Sequence, residues 1–227
     1  MGWKTFYSVS EDYFRDLYDK AEKWGDFNPY KLTVQGEEHY GAGNVSNAPT
    51  SWILSPKIQH YIGKTKITVK YYLWVEANVT GKASIGIVFY KNDQTSVDES
   101  GYDVHGGTHT VTSAPSVNTA EPHEFVVEQE NNKIVYYIDG NKLGEANLQA
   151  PLTSFKIALK VDEANGGNIG IVVTSVTAEY YDYIEDMLAS MMNVMNIMMW
   201  VMMAVMIIAL LVKAFKPKKK EEVVKPA

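Results

Sequence analysis

Ile67-Thr68-Val69-Lys70-Tyr71-Tyr72-Leu73-Trp74-Val75-Glu76 is the segment that decides the fold. Ile67, Val69, Tyr71, Leu73 and Val75 take every second position, and Thr68, Lys70, Tyr72, Trp74 and Glu76 fall between them. Period two marks a strand with one buried face, because successive side chains leave opposite faces of a pleated backbone. The alternation recurs in Ile85, Ile87 and Phe89, and in Phe155, Ile157, Leu159 and Val161 against Ser154, Lys156, Ala158 and Lys160. Asn131-Asn132 suits the positive φ of a two-residue hairpin turn, and Asp139-Gly140-Asn141 turns the chain again. Further strands are expected at 31–36, 51–55 and 168–178. About nine or ten strands joined by turns, with no helical period between them, predict an antiparallel β-sandwich.

Outward from these strands, two regions break the alternation. Residues 8–25 read as an amphipathic helix: Ser8 and Glu11 have capping-box spacing, and Phe14, Leu17, Ala21 and Trp24 recur every three or four positions. Gly25 and then Asn28-Pro29 supply the stop. Residues 92–122, rich in Ser, Thr, Gly, Asp and His, read as one long irregular loop. Near the C-terminus, residues 187–212 are 26 consecutive residues without a charge, nine of them Met. A hydrocarbon core roughly 30 Å thick takes about 20 apolar helical residues, so this run is long enough to span with some tilt. The expected division is an N-terminal amphipathic helix at 1–27, a β-sandwich at 28–182, a transmembrane helix at 183–212 and a basic tail at 213–227.

The 227 residues carry a net charge of −6, unevenly spread. The last 15 residues hold six Lys and two Glu, a net of +4, which leaves −10 on residues 1–212. An acidic domain whose only arginine is Arg15 is a poor partner for nucleic acid. Lys213, Lys216, Lys218, Lys219 and Lys220 follow the apolar run, and Tyr180, Tyr181, Asp182, Tyr183, Glu185 and Asp186 precede it. That asymmetry predicts a basic C-terminus inside and the main domain on the outer face. No cysteine is present, which excludes disulfides and thiolate metal sites. Residues 1–30 lack the apolar centre of a signal peptide, and Phe6 stands where a myristoylation motif wants Ser or Thr. Export then has three routes: translocation driven by the helix, a tail-anchored chain with a cytosolic domain, or a virion protein that joins an internal membrane.

The segment His123-Glu124-Phe125-Val126-Val127-Glu128, followed by Lys133-Ile134-Val135-Tyr136-Tyr137-Ile138-Asp139-Gly140-Asn141-Lys142-Leu143-Gly144, resembles a recurring element of concanavalin A-like jelly rolls. These are the laminin-G-like domains, legume-type lectins and bacterial glucanases, in which an aromatic-x-Asp-Gly turn ends one strand and leads to the next. Ser51-Trp52-Ile53-Leu54 and the closing strand from Ile169 to Tyr181 fit the same plan, so the likeness covers about residues 28–182. The resemblance implies a jelly-roll sandwich and either glycan binding or glycoside hydrolysis. Hydrolysis in that family uses Glu-x-Asp-x-(x)-Glu on one strand, because nucleophile and acid must stand about 5 Å apart. Glu128-Gln129-Glu130 lacks the central Asp and Asp98-Glu99 falls in the loop, so no enzyme activity and no catalytic residue are expected.

Weaker constellations have plain structural readings beside them. Asp103 and His105-Gly106-Gly107-Thr108-His109 suggest metal ligands, but spacing of four outside a helix has no fixed geometry, and a polar loop is the simpler account. Asp162-Glu163-Ala164-Asn165-Gly166-Gly167 offers oxygens that suit calcium, yet acidic Gly-rich turns commonly join strands. No metal and no cofactor are therefore expected. Tyr72, Trp74 and Tyr90 are candidate glycan contacts if their rings lie on exposed faces; core packing is the alternative. Asn44-Val45-Ser46 and Asn78-Val79-Thr80 are glycosylation sequons, frequent by chance in such a composition. In the apolar run, Met192, Met195, Met199, Met202 and Met206 follow the 3-4-3-4 spacing of a left-handed helix pair, and Asn193 and Asn196 can hydrogen-bond across helices. Copper transport by these methionines would need an ion pathway that one helix does not supply.

The expectation is a non-enzymatic structural or surface protein: a sandwich displayed by one C-terminal helix, in contact with lipid and with homo-oligomeric or neighbouring envelope or coat subunits. The architecture resembles coat and spike proteins of archaeal viruses with lipid membranes, an analogy of plan alone. The rival readings are a glycan-binding adhesin and a tail-anchored, cytosol-facing interaction protein.

Overall fold

The alternating segment forms the long strand that the period predicts, and among the described residues fourteen further strands assemble with it into two antiparallel sheets. The computed structural model describes residues 2–10, 13–24, 31–34, 36–44, 50–60, 63–91, 95–96, 105–112, 119–131, 133–147 and 154–215. In chain order the first strands are β1 (Trp3–Ser10), β2 (Glu22–Trp24), β3 (Lys31–Val34), β4 (Glu37–Asn44), β5 (Ser51–Leu54), β6 (Ile58–Gln59), β7 (Thr65–Val75) and β8 (Thr80–Lys91). They are followed by β9 (Thr95–Ser96), β10 (His105–Thr112), β11 (Thr119–Glu130), β12 (Lys133–Ile138), β13 (Asn141–Asn147), β14 (Ser154–Asn165) and β15 (Ile169–Tyr181), and then by helix α1 (Tyr183–Ala214).

One sheet runs β13-β12-β11-β7-β15-β4-β3, with β1 also on β15; the other runs β10-β8-β14-β5-β2, with β6 on β14 and β9 on β8. This is the jelly-roll sandwich that the sequence resemblance implied. Its core is the set of alternate residues from both sheets. Ile67, Val69, Tyr71, Phe125, Val127, Ile171 and Val173 face Ile85, Ile87, Phe89, Phe155, Ile157 and Leu159, all buried. The hairpins turn where the residue types allow a left-handed backbone. Asn131 has φ 56°, and Asp139 and Gly140 have φ 50° and 75°.

The expected amphipathic helix at 8–25 is not formed. Its first residues end β1, which pairs with β15 from Trp3↔Tyr181 to Ser10↔Ser175, and among its described residues only a single 3-10 turn (Tyr18–Lys20) is helical. The apolar residues at three- and four-residue spacing are buried by the sandwich itself: Tyr13 and Phe14 are fully enclosed, Ala21 is buried, and Leu17 packs against the core. A short segment gains more by capping an existing core than by one marginal helix. Trp3–Tyr181 forms one compact unit. The expected loop at 92–122 is corrected too. Strands β9 and β10 and the start of β11 lie in it, and β10 pairs with β8 from His105↔Ile87 to Thr112↔Thr80. Its Gly, Thr and His content concealed an edge strand, whose outer side need not be apolar.

α1 belongs to the second unit. Asp182 caps it by accepting from the Ile184 amide at 3.0 Å, and Lys213 lies in its last turn, where a cation complements the helix dipole. The segment Met187–Ala214, 28 residues with mean hydropathy 2.5, is long and apolar enough to cross a membrane.

Gly41 of β4 passes so close to β15 that a Cβ would lie 2.0 Å from the Ile171 carbonyl oxygen. Gly41→Ala is expected to destabilise the sandwich by about 1–3 kcal/mol through forced backbone movement, read as a lower urea midpoint at unchanged slope. An unchanged midpoint would mean that β4 shifts freely.

Candidate functional site

A group of titratable side chains lies where the two sheets approach at one edge. Gly107 of β10 is so near the facing sheet that a Cβ would meet Ile138 and Leu143 side-chain atoms at 2.6 and 2.5 Å. Beside that approach, His109 of β10 turns inward toward Tyr71 of β7, and its register partner Ala83 is buried. His123 of β11 is the register partner of Tyr71, and Asp139 comes from the turn after β12.

Tyr71 Oη and His109 Nε2 are 2.6 Å apart, the two imidazole centroids 4.6 Å, and His123 stacks on Tyr71 at 5.4 Å. His123 Nδ1 lies 2.7 Å from Asp139 Oδ2, and Asp139 Oδ1 accepts from the Glu124 amide at 2.9 Å. Burial raises the Tyr71 hydroxyl's pKa, and the Asp139 charge adds to the effect. Tyr71 therefore keeps its proton and donates to His109. Burial likewise lowers the His109 pKa; a protonated His123 pushes the same way, against the weaker pull of Asp139 and Glu121. Burial works to raise Asp139, but the Glu124 amide and His123 outweigh it and hold the carboxyl below its ordinary value. Neutral His109 then carries its proton on Nδ1, and His123 donates from Nδ1 to Asp139. His123 Nε2 is buried, has no hydrogen-bond partner in the described structure, and lies 3.8 Å from Glu121 Oε2.

A cleft of about 310 Å³ opens beside it, lined by Lys70, Tyr72, His123, Asp139 and Thr174 among others. Of the three candidate glycan contacts only Tyr72 presents an exposed ring, at 38 %. Trp74 and Tyr90 correct the expectation, since both are buried. Trp74 packs on Val172 and Ala120, and Tyr90 has the Lys57 ammonium 4.5 Å from its ring centre. A sugar cannot reach a covered face.

The remaining candidates are dispersed. His105 and His109 lie four residues apart along one strand, about 13 Å at the usual rise, too far to share a metal ion; Asp103 lies outside the described residues. The segment 162–167 ends β14 and begins the turn into β15, with Gly166 at φ 88° and Asp162 paired to Lys160 at 2.5 Å. Met192, Asn193, Met195, Asn196, Met199, Met202 and Met206 all lie on α1, where these methionines and both asparagines are solvent-exposed. Lys213 is in its last turn, whereas Lys216, Lys218, Lys219 and Lys220 lie outside the described residues. Tyr71, His123 and Asp139 were not singled out in the sequence; only the Asp139 turn and the His123 strand drew notice there, for their topology.

No protein-family model matches the chain, and a search of curated proteins finds no match. Solved structures of concanavalin-like fold do align. The laminarinase catalytic domain from Thermotoga maritima is 11 % identical with TM-score 0.45, over 80 % of this chain and 100 % of that one. The Emp46p carbohydrate recognition domain is 7 % identical with TM-score 0.43, over 76 % and 95 %. Alginate lyase A1-II' is 10 % identical with TM-score 0.43, over 80 % and 95 %. Such values transfer neither a residue role nor an activity.

His109 and His60 both have lowered pKa values, chiefly from burial, so the unfolded chain binds more protons than the folded one below the ordinary histidine value. Their contribution to stability is complete above pH about 6.5 and is lost as pH falls toward the folded values. The melting temperature is expected to be flat from about pH 8 to 7 and to fall between about 6.5 and 5. His109→Gln should flatten part of that fall, leaving the His60 part. An unchanged profile would show that His109 does not carry the linkage.

Proposed function

We propose that the chain is a single-pass membrane protein that displays a non-catalytic β-sandwich on the outer face of a cell envelope or membrane-containing virion and assembles with like or neighbouring subunits. The observation that carries this reading is α1. Met187–Ala214 has mean hydropathy 2.5, and its Met192, Trp200 and Leu210 are 64 %, 67 % and 66 % exposed. So much apolar surface in water is costly, and a bilayer removes the cost. The aromatic and acidic flank before the helix and the lysines after it favour an inside C-terminus. Structural rather than catalytic use of the sandwich is supported by its carboxylates. Glu145 is held by Lys133 and Lys142, and Glu22 pairs with Lys156. Glu76 accepts from the backbone and side chain of Asn168 at 2.8 and 3.0 Å.

Full-length protein mixed with liposomes during synthesis is expected to resist alkaline carbonate extraction. Val201→Asp with Val205→Asp should release it, because each carboxylate near the helix centre opposes insertion by about 2.5–3.5 kcal/mol. Extraction of the unaltered chain would overturn the anchoring. Asn193→Leu with Asn196→Leu is expected to lower the cross-linked dimer fraction in bilayers, since interhelical amide bonds contribute about 0.6–2 kcal/mol.

The Tyr72 cleft favours a second reading, a glycan-binding surface protein. An exposed ring beside Lys70, Asp139 and Thr174 combines a stacking face with hydrogen-bonding groups. A glycan array probed with the full chain would give signals that Tyr72→Ala removes; an array without signals leaves the structural role.

A further inference from the structure

We propose that Asn78 is an N-glycosylation acceptor on the rim of the sandwich farthest from the point where the chain leaves for α1. This rests on the outward-facing orientation proposed above.

Asn78 and Val79 lie in the turn that joins β7 to β8, and Thr80 is the first residue of β8. A sequon in a folded protein needs an asparagine amide and a hydroxyl two residues on that are both accessible, so that an attached glycan points into water. Here the intervening Val79 is fully buried, which pins the turn, whereas Asn78 and Thr80 are both exposed. Asn78 has φ 61°, a conformation that asparagine tolerates better than other residues with a Cβ. The backbone at this tip is tightly set: a Cβ on Gly166 would come 2.7 Å from the Asn78 carbonyl oxygen, so the neighbouring turn is kept bare beside the acceptor.

Register fixes which end of the sandwich this is. Val75 pairs with Ile169, the first residue of β15, and β15 runs from there to Tyr181, about 40 Å at the usual rise per residue. Helix α1 begins two residues after Tyr181. Asn44, which opens the other sequon, also pairs with Ile169 and so ends β4 in the same row; Val45 and Ser46 lie outside the described residues. Asn44 and Asn78, 34 positions apart in sequence, thus lie at the Ile169 end of β15, at the other end of that strand from Tyr181.

The ligand is a lipid-diphosphate-linked oligosaccharide. In the transfer the Asn78 amide nitrogen bonds to the sugar C1, and the bond from C1 to the diphosphate oxygen breaks. The lipid diphosphate leaves with its electron pair, and the amide gives up one proton to the transferase.

The test is translation of the full chain with endoplasmic-reticulum microsomes, followed by carbonate extraction, protease protection and endoglycosidase digestion of the same sample. The expected result is a carbonate-resistant, protease-protected chain bearing endoglycosidase-sensitive added mass. Asn78→Gln and Thr80→Ala each remove one oligosaccharide, and Thr80→Ser retains it. A carbonate-resistant chain without added mass, or with mass that both substitutions leave unchanged, overturns the proposal while anchoring stands. A carbonate-resistant chain whose domain is digested overturns it through orientation. A chain stripped by carbonate overturns the anchoring, and the acceptor role with it.

Discussion

The pairing of β15 is the constraint on which the larger sheet depends. One edge of this strand is filled by β7 along nearly its whole length, from Ile169↔Val75 to Tyr180↔Thr65. The other edge is divided: β4 takes Ile169 to Val172, and β1 takes Ser175 to Tyr181. Between them the Tyr13 amide donates to the Val173 carbonyl at 2.9 Å. The N-terminal strand, the middle of the chain and the last strand are thereby tied in one place. Such long-range closure makes for slow folding, since the chain entropy is lost before most contacts form. It also explains why the apolar residues before β2 close the core and do not stand apart as a helix.

The same architecture accounts for the buried polar groups. The two sheets meet closely at Gly107, and the space beside that contact is filled by Tyr71, His109 and His123 instead of aliphatic side chains. A second polar group, His60 with Gln129 and Thr65, lies among Phe6, Phe89 and Phe155. His109 and His60 are each satisfied on one nitrogen by a neutral partner, a cheap arrangement for an uncharged ring and a poor one for an imidazolium. The interior of this sandwich is thus matched to neutral pH.

Much of the fold was legible in the sequence because β7, β8 and β14 carry strict alternation, and because Asn131 and Asp139-Gly140 are residue types that accept positive φ. Two elements were not. Residues 8–25 carry a spacing that a helix and a core-capping turn segment share, and local pattern cannot separate them. The β10 strand is built of Gly, Thr and His, whose strand character comes from its partner β8 and not from its own apolar content. The candidate site was illegible for a related reason. Tyr71, His109, His123 and Asp139 sit on four different parts of the chain, and only register and sheet approach bring them together. Tyr72 and Trp74 share one face of β7 by alternation, and only the structure separates them: Tyr72 is exposed, whereas Val172 and Ala120 cover Trp74.

The direct succession of β15 and α1 has a mechanical consequence. A pull applied at Tyr181 along the axis of β15 loads that strand lengthwise. Antiparallel ladder bonds stand perpendicular to the strand axis, so such a load shears the bonds to β7 and β1 together instead of peeling them one by one. Strand β13, paired on one side only among the described residues, has no direct bond to β15 and lies outside that load path.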